Sequence, residues 1–122
     1  MPKRIQRQRV KGWRMPEGAL YVGRPGVRGN PFVVGHRFDE GDSFLKHYGQ
    51  YLDDGLVTAD NCLVAFEAYC RKILATAPNW LEPLRDYEFL ACWCPLSQPC
   101  HVDIYLKLLA EFPPVHDTGE GG

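Results

Sequence analysis

Three of the five cysteines and one of the four histidines of this chain fall within ten residues, in Cys92-Trp93-Cys94-Pro95-Leu96-Ser97-Gln98-Pro99-Cys100-His101, with Asp103 two positions on. Thiols and an imidazole gathered this closely admit three chemistries. The first is a metal site of Cys92, Cys94, Cys100 and His101, a donor set suited to tetrahedral zinc. Its spacing, C-x-C-x5-C-H, differs from the usual C-x2-C pattern, and neighbours such as Cys100 and His101 diverge by about 100° on a helix. An iron–sulfur arrangement has the right sulfurs, but the spacing matches no standard run. The second is a reactive thiolate at Cys100 assisted by His101 or Asp103. The third is structural, with small thiols packed under Trp93 and His101 bonded to the loop.

A second chemical signal lies upstream, in Gly23-Arg24-Pro25-Gly26-Val27-Arg28-Gly29-Asn30-Pro31. Glycines let a ligand approach the backbone, and the forked donors of Arg24 and Arg28 suit phosphate or carboxylate. Gly29 and Asn30 complete the candidate ligand-binding set, Asn30 as a reader of a base edge or ribose hydroxyl. The loop lacks the Gly-Lys-Ser/Thr ending of a phosphate-binding P-loop and is no Rossmann G-x-G-x-x-G. Its alternative reading is a tight turn whose arginines face water.

The elements around these motifs predict how they are held. Ala19-Leu20-Tyr21-Val22 reads as a short buried strand running into the glycine–arginine loop, and Phe32-Val33-Val34-Gly35 as a second. Residues 42–52 and a longer segment through Ala75 carry apolar residues at helical spacing. Asp42 or Ser43 caps the first, and Thr58 or Asp60 the second. Cys62 and Cys70, eight residues apart on one face of that longer helix, read as core. Glu88 to Cys94 is the clearest strand. Cys92 and Cys94 then share a face with Trp93 opposite, and Pro99 opens a last helix from Cys100 to Phe112. Cys100 and His101 fall at its N-terminus, a setting that favours thiolate. Strands separated by helices predict a single compact α/β domain, its small, at least partly parallel sheet flanked by helices.

At 122 residues and 45% hydrophobic content the chain fits one globular domain, expected over residues 10–112. Residues 1–9 read as a basic flexible arm, and 113–122 as an acidic disordered tail. The absence of a run of about 20 apolar residues predicts no membrane span, and with no secretory pattern in residues 1–10 the expected location is cytoplasmic. An odd cysteine count argues for reduced thiols or metal ligands over a disulfide framework. The net charge of -1 hides a division: residues 1–28 hold eight Lys or Arg against Glu17, the rest six against fourteen acids. A basic leading segment suits a phosphate-bearing partner, nucleotide or nucleic acid, and equally a solvated arm paired with the protein's own acidic face.

The motifs Tyr21-Val22-Gly23-Arg24-Pro25, Gly29-Asn30-Pro31-Phe32, Cys92-Trp93-Cys94 and Pro99-Cys100-His101-x-Asp103 resemble a small domain family of unknown function, widespread in bacteria and their phages. The resemblance spans roughly residues 10–111. It implies that both motifs belong to one domain, and a phage or phage-derived source would favour nucleotide metabolism, DNA modification or host takeover. At Gly26-Val27-Arg28 the chain departs from the serine-lysine-tryptophan type sequence of many members, so the resemblance does not speak for Arg28. Three functions are expected. The first is a nucleotide- or nucleic-acid-directed hydrolase or group transferase, with glycosidic-bond chemistry among its options, in which Cys100, His101 and Asp103 act or hold the metal. The second is a non-catalytic nucleic-acid-binding module, using the basic arm and Trp13 and stabilised by zinc or packed thiols. The third is a phage-encoded inhibitor of a host protein.

Overall fold

Four apolar or small residues, Phe89 to Cys92, form the central strand of the sheet, and the last three of them are buried. A strand covered on both faces reads as a continuous apolar run, which is why this segment stands out in the sequence. The computed structural model describes residues 1–24 and 26–112. Its sheet has three parallel strands, β1 (Lys3–Gln6), β2 (Ala19–Tyr21) and β3 (Phe89–Cys92), in the order β1-β3-β2. Three helices, α1 (Ser43–Tyr48), α2 (Cys62–Thr76) and α3 (His101–Glu111), complete a compact α/β domain.

Two elements differ from expectation. Residues 3–6, expected within a flexible basic arm, form β1: Lys3 N–H donates to Glu88 O at 2.9 Å and Arg7 N–H to Cys92 O at 2.7 Å. Backbone bonds to an already buried strand hold this edge, so its side chains need no apolar pattern, and charge on an edge discourages further pairing. Conversely, Phe32 to Gly35 form no strand. Phe32 is fully buried while Val33 and Val34 are exposed, and the chain turns where His36 N–H reaches Val33 O. Phe32 acts as a single plug, meeting the rings of Phe38, Phe44, Tyr48 and Tyr69 edge-on at 5.5–6.1 Å.

The helix starts follow local chemistry. Asp42 caps α1, its carboxylate accepting from Phe44 N–H. Ahead of α2, Thr58 and Asn61 exchange side-chain bonds with each other's backbone N–H. At α3 the pair Cys100 and Asp103 forms a capping box. The core lies between sheet and helices and includes Val22, Phe66, Leu90, Val102, Tyr105 and Leu108, all at most 1% exposed. Truncating Phe66 there would cost about 3–5 kcal/mol. On the outer side, Glu67 and Arg71 of α2 grip Lys107 and Glu111 of α3. Among the described residues no helix is long and apolar enough to cross a membrane. The acidic tail expected at 113–122 lies outside the described residues.

Candidate functional site

All three strands point the same way, so the segments leaving them meet at one edge of the sheet. β2 delivers Val22, Gly23 and Arg24; β3 delivers Trp93 and Cys94; α3 begins beside them at His101. In open parallel sheets this carboxyl edge is where ligands bind. The loop from Pro95 to Pro99 is held by a residue of β1. Arg4 donates to Pro95 O at 2.6 Å, to Gln98 O at 2.7 Å and to the Asp103 carboxylate at 2.9 Å. Asp103 also accepts from Cys100 N–H at 3.0 Å. One oxygen, Oδ2, thus both caps α3 and pairs with Arg4.

Turning the chain at Trp93 and restarting it at Cys100 brings the sulfurs of Cys92, Cys94 and Cys100 within 4.8 Å of one another. Cys92 and Cys100 Sγ stand 2.9 Å apart. The Cys100 hydrogen bond, with help from the Cys94 backbone N–H and against burial, draws the Cys92 thiol down to about 6. The same bond, and then burial, pushes Cys100 up. Burial raises Cys94. Two sulfurs on one tetrahedral zinc stand about 3.8 Å apart, so accepting the ion requires Cys100 to retreat from Cys92 by about 1 Å.

His101, the fourth expected ligand, lies beside this trio. It is buried, with its ring edge-on to Phe66 and Tyr105 at 5.6 and 5.9 Å. Its Nε2–H donates to Val22 O at 2.7 Å, leaving Nδ1 as an acceptor 3.5 Å from Cys100 Sγ. Burial lowers its pKa and keeps the ring neutral. A neutral imidazole whose outer N–H is fixed by a carbonyl is the form in which histidine binds metal or takes up a proton.

The glycine–arginine loop supplies the facing wall but divides its two arginines. Gly29 packs so closely that a Cβ there would meet Arg24 Cγ at 2.9 Å and its backbone at 3.1 Å. Gly29 therefore sets the path of the loop. Tyr21 OH donates to Arg24 O at 2.5 Å, while the Arg24 side chain is exposed and has no partner among the described residues. Arg28 turns the other way. Its guanidinium donates to Trp80 O at 2.6 Å and stacks 4.7 Å from the Trp80 ring, and its carbonyl accepts from Tyr105 OH. Asn30 is 5% exposed, its carbonyl oxygen taking Phe32 N–H at 2.8 Å and its amide donating to Cys62 Sγ at 3.2 Å.

Between the two walls lies a cleft of about 310 Å³, lined by Arg24, Asn30, Cys62, Cys94, Cys100 and His101, with Val34, Leu63 and Gln98 at its sides. The fold thus brings together Arg24 and Asn30 from one motif with Cys94, Cys100 and His101 from the other. Cys92 lies beneath the lining; Arg28 and Asp103 are outside it. Two residues escape sequence reasoning. Cys62, read as core, donates to Phe32 O at 3.0 Å and anchors Asn30 in the cleft wall. Its place in the first turn of α2 is the only sequence signal that separates it from Cys70, which burial pushes up to about 12. Arg4, 99 positions from Asp103, carries no local signal at all.

Residues 5–111 match the DUF4326 family, a domain of unknown function, and the chain belongs to that family. No curated protein and no solved structure matches it.

Proposed function

We propose that the protein is a nucleotide- or nucleic-acid-directed hydrolase or group transferase centred on the cleft. In this reading Cys92, Cys94 and Cys100 hold a zinc ion, and Arg24 holds a phosphate of the substrate. The observation that carries the reading is a cleft in which the Arg24 guanidinium, without a hydrogen-bond or ion-pair partner among the described residues, shares the lining with Cys94, Cys100 and the neutral His101 imidazole, with Cys92 beneath them. Three protein ligands leave one zinc position open, which is the arrangement of catalytic sites, and bound zinc supplies a Lewis acid and an activated water. His101 Nδ1 takes up a proton at the cluster, with Val22 O fixing its tautomer. Asn30, locked by Phe32 and Cys62, offers a rigid polar wall for substrate orientation.

Elemental mass spectrometry of the freshly purified protein tests the metal, and calorimetric titration with a nucleoside monophosphate tests the anchor. One zinc per chain, with binding lost in Arg24→Ala at unchanged melting temperature, is expected. Metal-free protein with a full fold would remove the zinc centre; unaltered affinity in Arg24→Ala would remove the phosphate anchor. One distance favours a second reading. The 3.5 Å between Cys100 Sγ and His101 Nδ1 would let His101, which stands outside the three-sulfur group, move in to close a Cys3His zinc site that only stabilises a nucleic-acid-binding module. Cobalt substitution distinguishes them, because an exchangeable ligand shifts the cobalt spectrum when phosphate is added and a closed site does not.

A further inference from the structure

Beside the cleft runs a second surface that its chemistry does not use. Residues 1–16 contain Lys3, Arg4, Arg7, Arg9, Lys11 and Arg14 and no acid. Of these, only Arg4 has a carboxylate partner among the described residues. Arg7 lies with its guanidinium carbon 4.8 Å from the Tyr21 ring and 4.9 Å from the Trp93 ring, and Arg9 lies 4.2 Å from the same Trp93 ring. Trp93 is flanked in sequence by Cys92 and Cys94, and Tyr21 OH bonds to Arg24 O. Guanidinium and aromatic groups therefore form a continuous ledge from β1 to the mouth of the cleft.

Stacking matters because of what it leaves free. A guanidinium held over an aromatic ring can still offer N–H groups to phosphate, and it has already lost much of its rotamer freedom. Arg7 and Arg9, both held over the one Trp93 ring, present two such guanidinium groups side by side. The Tyr21 and Trp93 rings are partly exposed, and the parts that the guanidinium groups leave uncovered are apolar surface against which an unpaired base can lie.

We infer that this ledge is the docking track for a single-stranded nucleic acid, whose phosphates run along Arg9 and Arg7 and whose terminal or splayed nucleotide enters the cleft at Arg24. This deepens the proposed function, since it names a polynucleotide as the substrate class, and it rests on that reading only for what happens inside the cleft.

Fluorescence anisotropy with the full-length protein and a labelled oligothymidylate of about 12 nucleotides tests it. Binding is expected to weaken as salt rises, with a slope of about -0.7 per phosphate contacted. Arg7→Gln/Arg9→Gln is expected to lower affinity at least about tenfold and flatten that slope by about 1.4, two phosphates' worth. Arg7→Lys/Arg9→Lys, which keeps charge but not the stacked fork, is expected to recover the slope with only part of the affinity. A melting curve of each variant separates these readouts from a merely structural role of the stack. Absence of oligonucleotide binding by the unmodified protein would overturn the inference, as would equal affinity and slope in the glutamine variant. Competition by an acidic peptide as strong as by unlabelled oligonucleotide would also overturn it, in favour of a protein partner. Mononucleotide binding without oligonucleotide binding sinks the ledge and spares the cleft; oligonucleotide binding with mononucleotide affinity unmoved by Arg24→Ala does the reverse.

Discussion

The two walls of the cleft are built on opposite principles. The sulfur wall is fastened from behind: Arg4 holds the Pro95–Gln98 loop and Asp103, and Val22 O holds His101. The arginine wall is fastened through its backbone and its glycines, and the Arg24 side chain has no hydrogen-bond or ion-pair partner among the described residues. Side chains that bridge several groups at a partly buried position are costly to disturb, whereas an exposed charge contributes little to folding. The contrast separates residues that shape the site from a residue kept for a ligand.

The largest expected effect breaks the sulfur wall. Arg4→Met removes three hydrogen bonds, to the half-exposed Asp103 carboxylate and to two loop carbonyls, and should lower stability by about 2–4 kcal/mol. Arg24→Ala should stay within about 0.5 kcal/mol of the unmodified protein. Urea unfolding of the two variants side by side measures the difference. Equal stabilities would erase the distinction between the walls.

Gly29→Ala probes the arginine wall where it is tight. A methyl group 2.9 Å from Arg24 Cγ forces the loop to shift, at about 1–3 kcal/mol. It should also carry Arg24 out of place, so that phosphate affinity falls along with stability. Retained affinity in a destabilised variant would mean that the loop path does not position Arg24.

Arg28→Gln sharpens the comparison within one loop. With its guanidinium committed to Trp80, this variant should lose about 1 kcal/mol of stability and leave nucleotide affinity unchanged. Arg24→Ala should do the opposite, which calorimetric titration and thermal melting together would reveal. Both arginines look alike in the sequence, as donors on one glycine-rich loop. Only the fold shows that one faces the cleft and the other the Trp80 side, because the selecting contacts, Tyr105 OH and Trp80 O, come from residues 77 and 52 positions away.

The same physical limit explains what else was legible. β3 announces itself as an unbroken apolar run because both its faces are covered, and the helices because burial of one face writes a period into their side chains. β1 does not, since an edge strand needs only backbone partners, and Lys3–Gln6 bond through theirs. The Cys92–His101 motif and the Arg24–Asn30 loop were readable as chemistry. Their meeting in one cleft follows from parallel strands ending at a common edge. Cys62 was hidden because a cysteine at helical spacing on an apolar face looks identical whether it packs in the core, as Cys70 does, or at a cleft wall.

The smallest effect lies far from both walls and serves as their control. Hydrogen bonds from Lys107 and Arg71 hold the Glu67 carboxyl below its usual range, and Arg71 does the same for Glu111. A carboxyl depressed by folding contributes stability above its unfolded value, near 4.3, and loses it as pH falls through the folded value. The clamp between α2 and α3 should therefore weaken progressively below about pH 4, and added salt should blunt it, because its partners are half exposed. In Glu67→Gln/Glu111→Gln the acid limb of the stability profile should flatten while nucleotide and oligonucleotide affinity at neutral pH stay unchanged. An affinity change in that variant would mean that the helix pair is coupled to the cleft, and the two walls could then no longer be treated as a unit independent of the helices behind them.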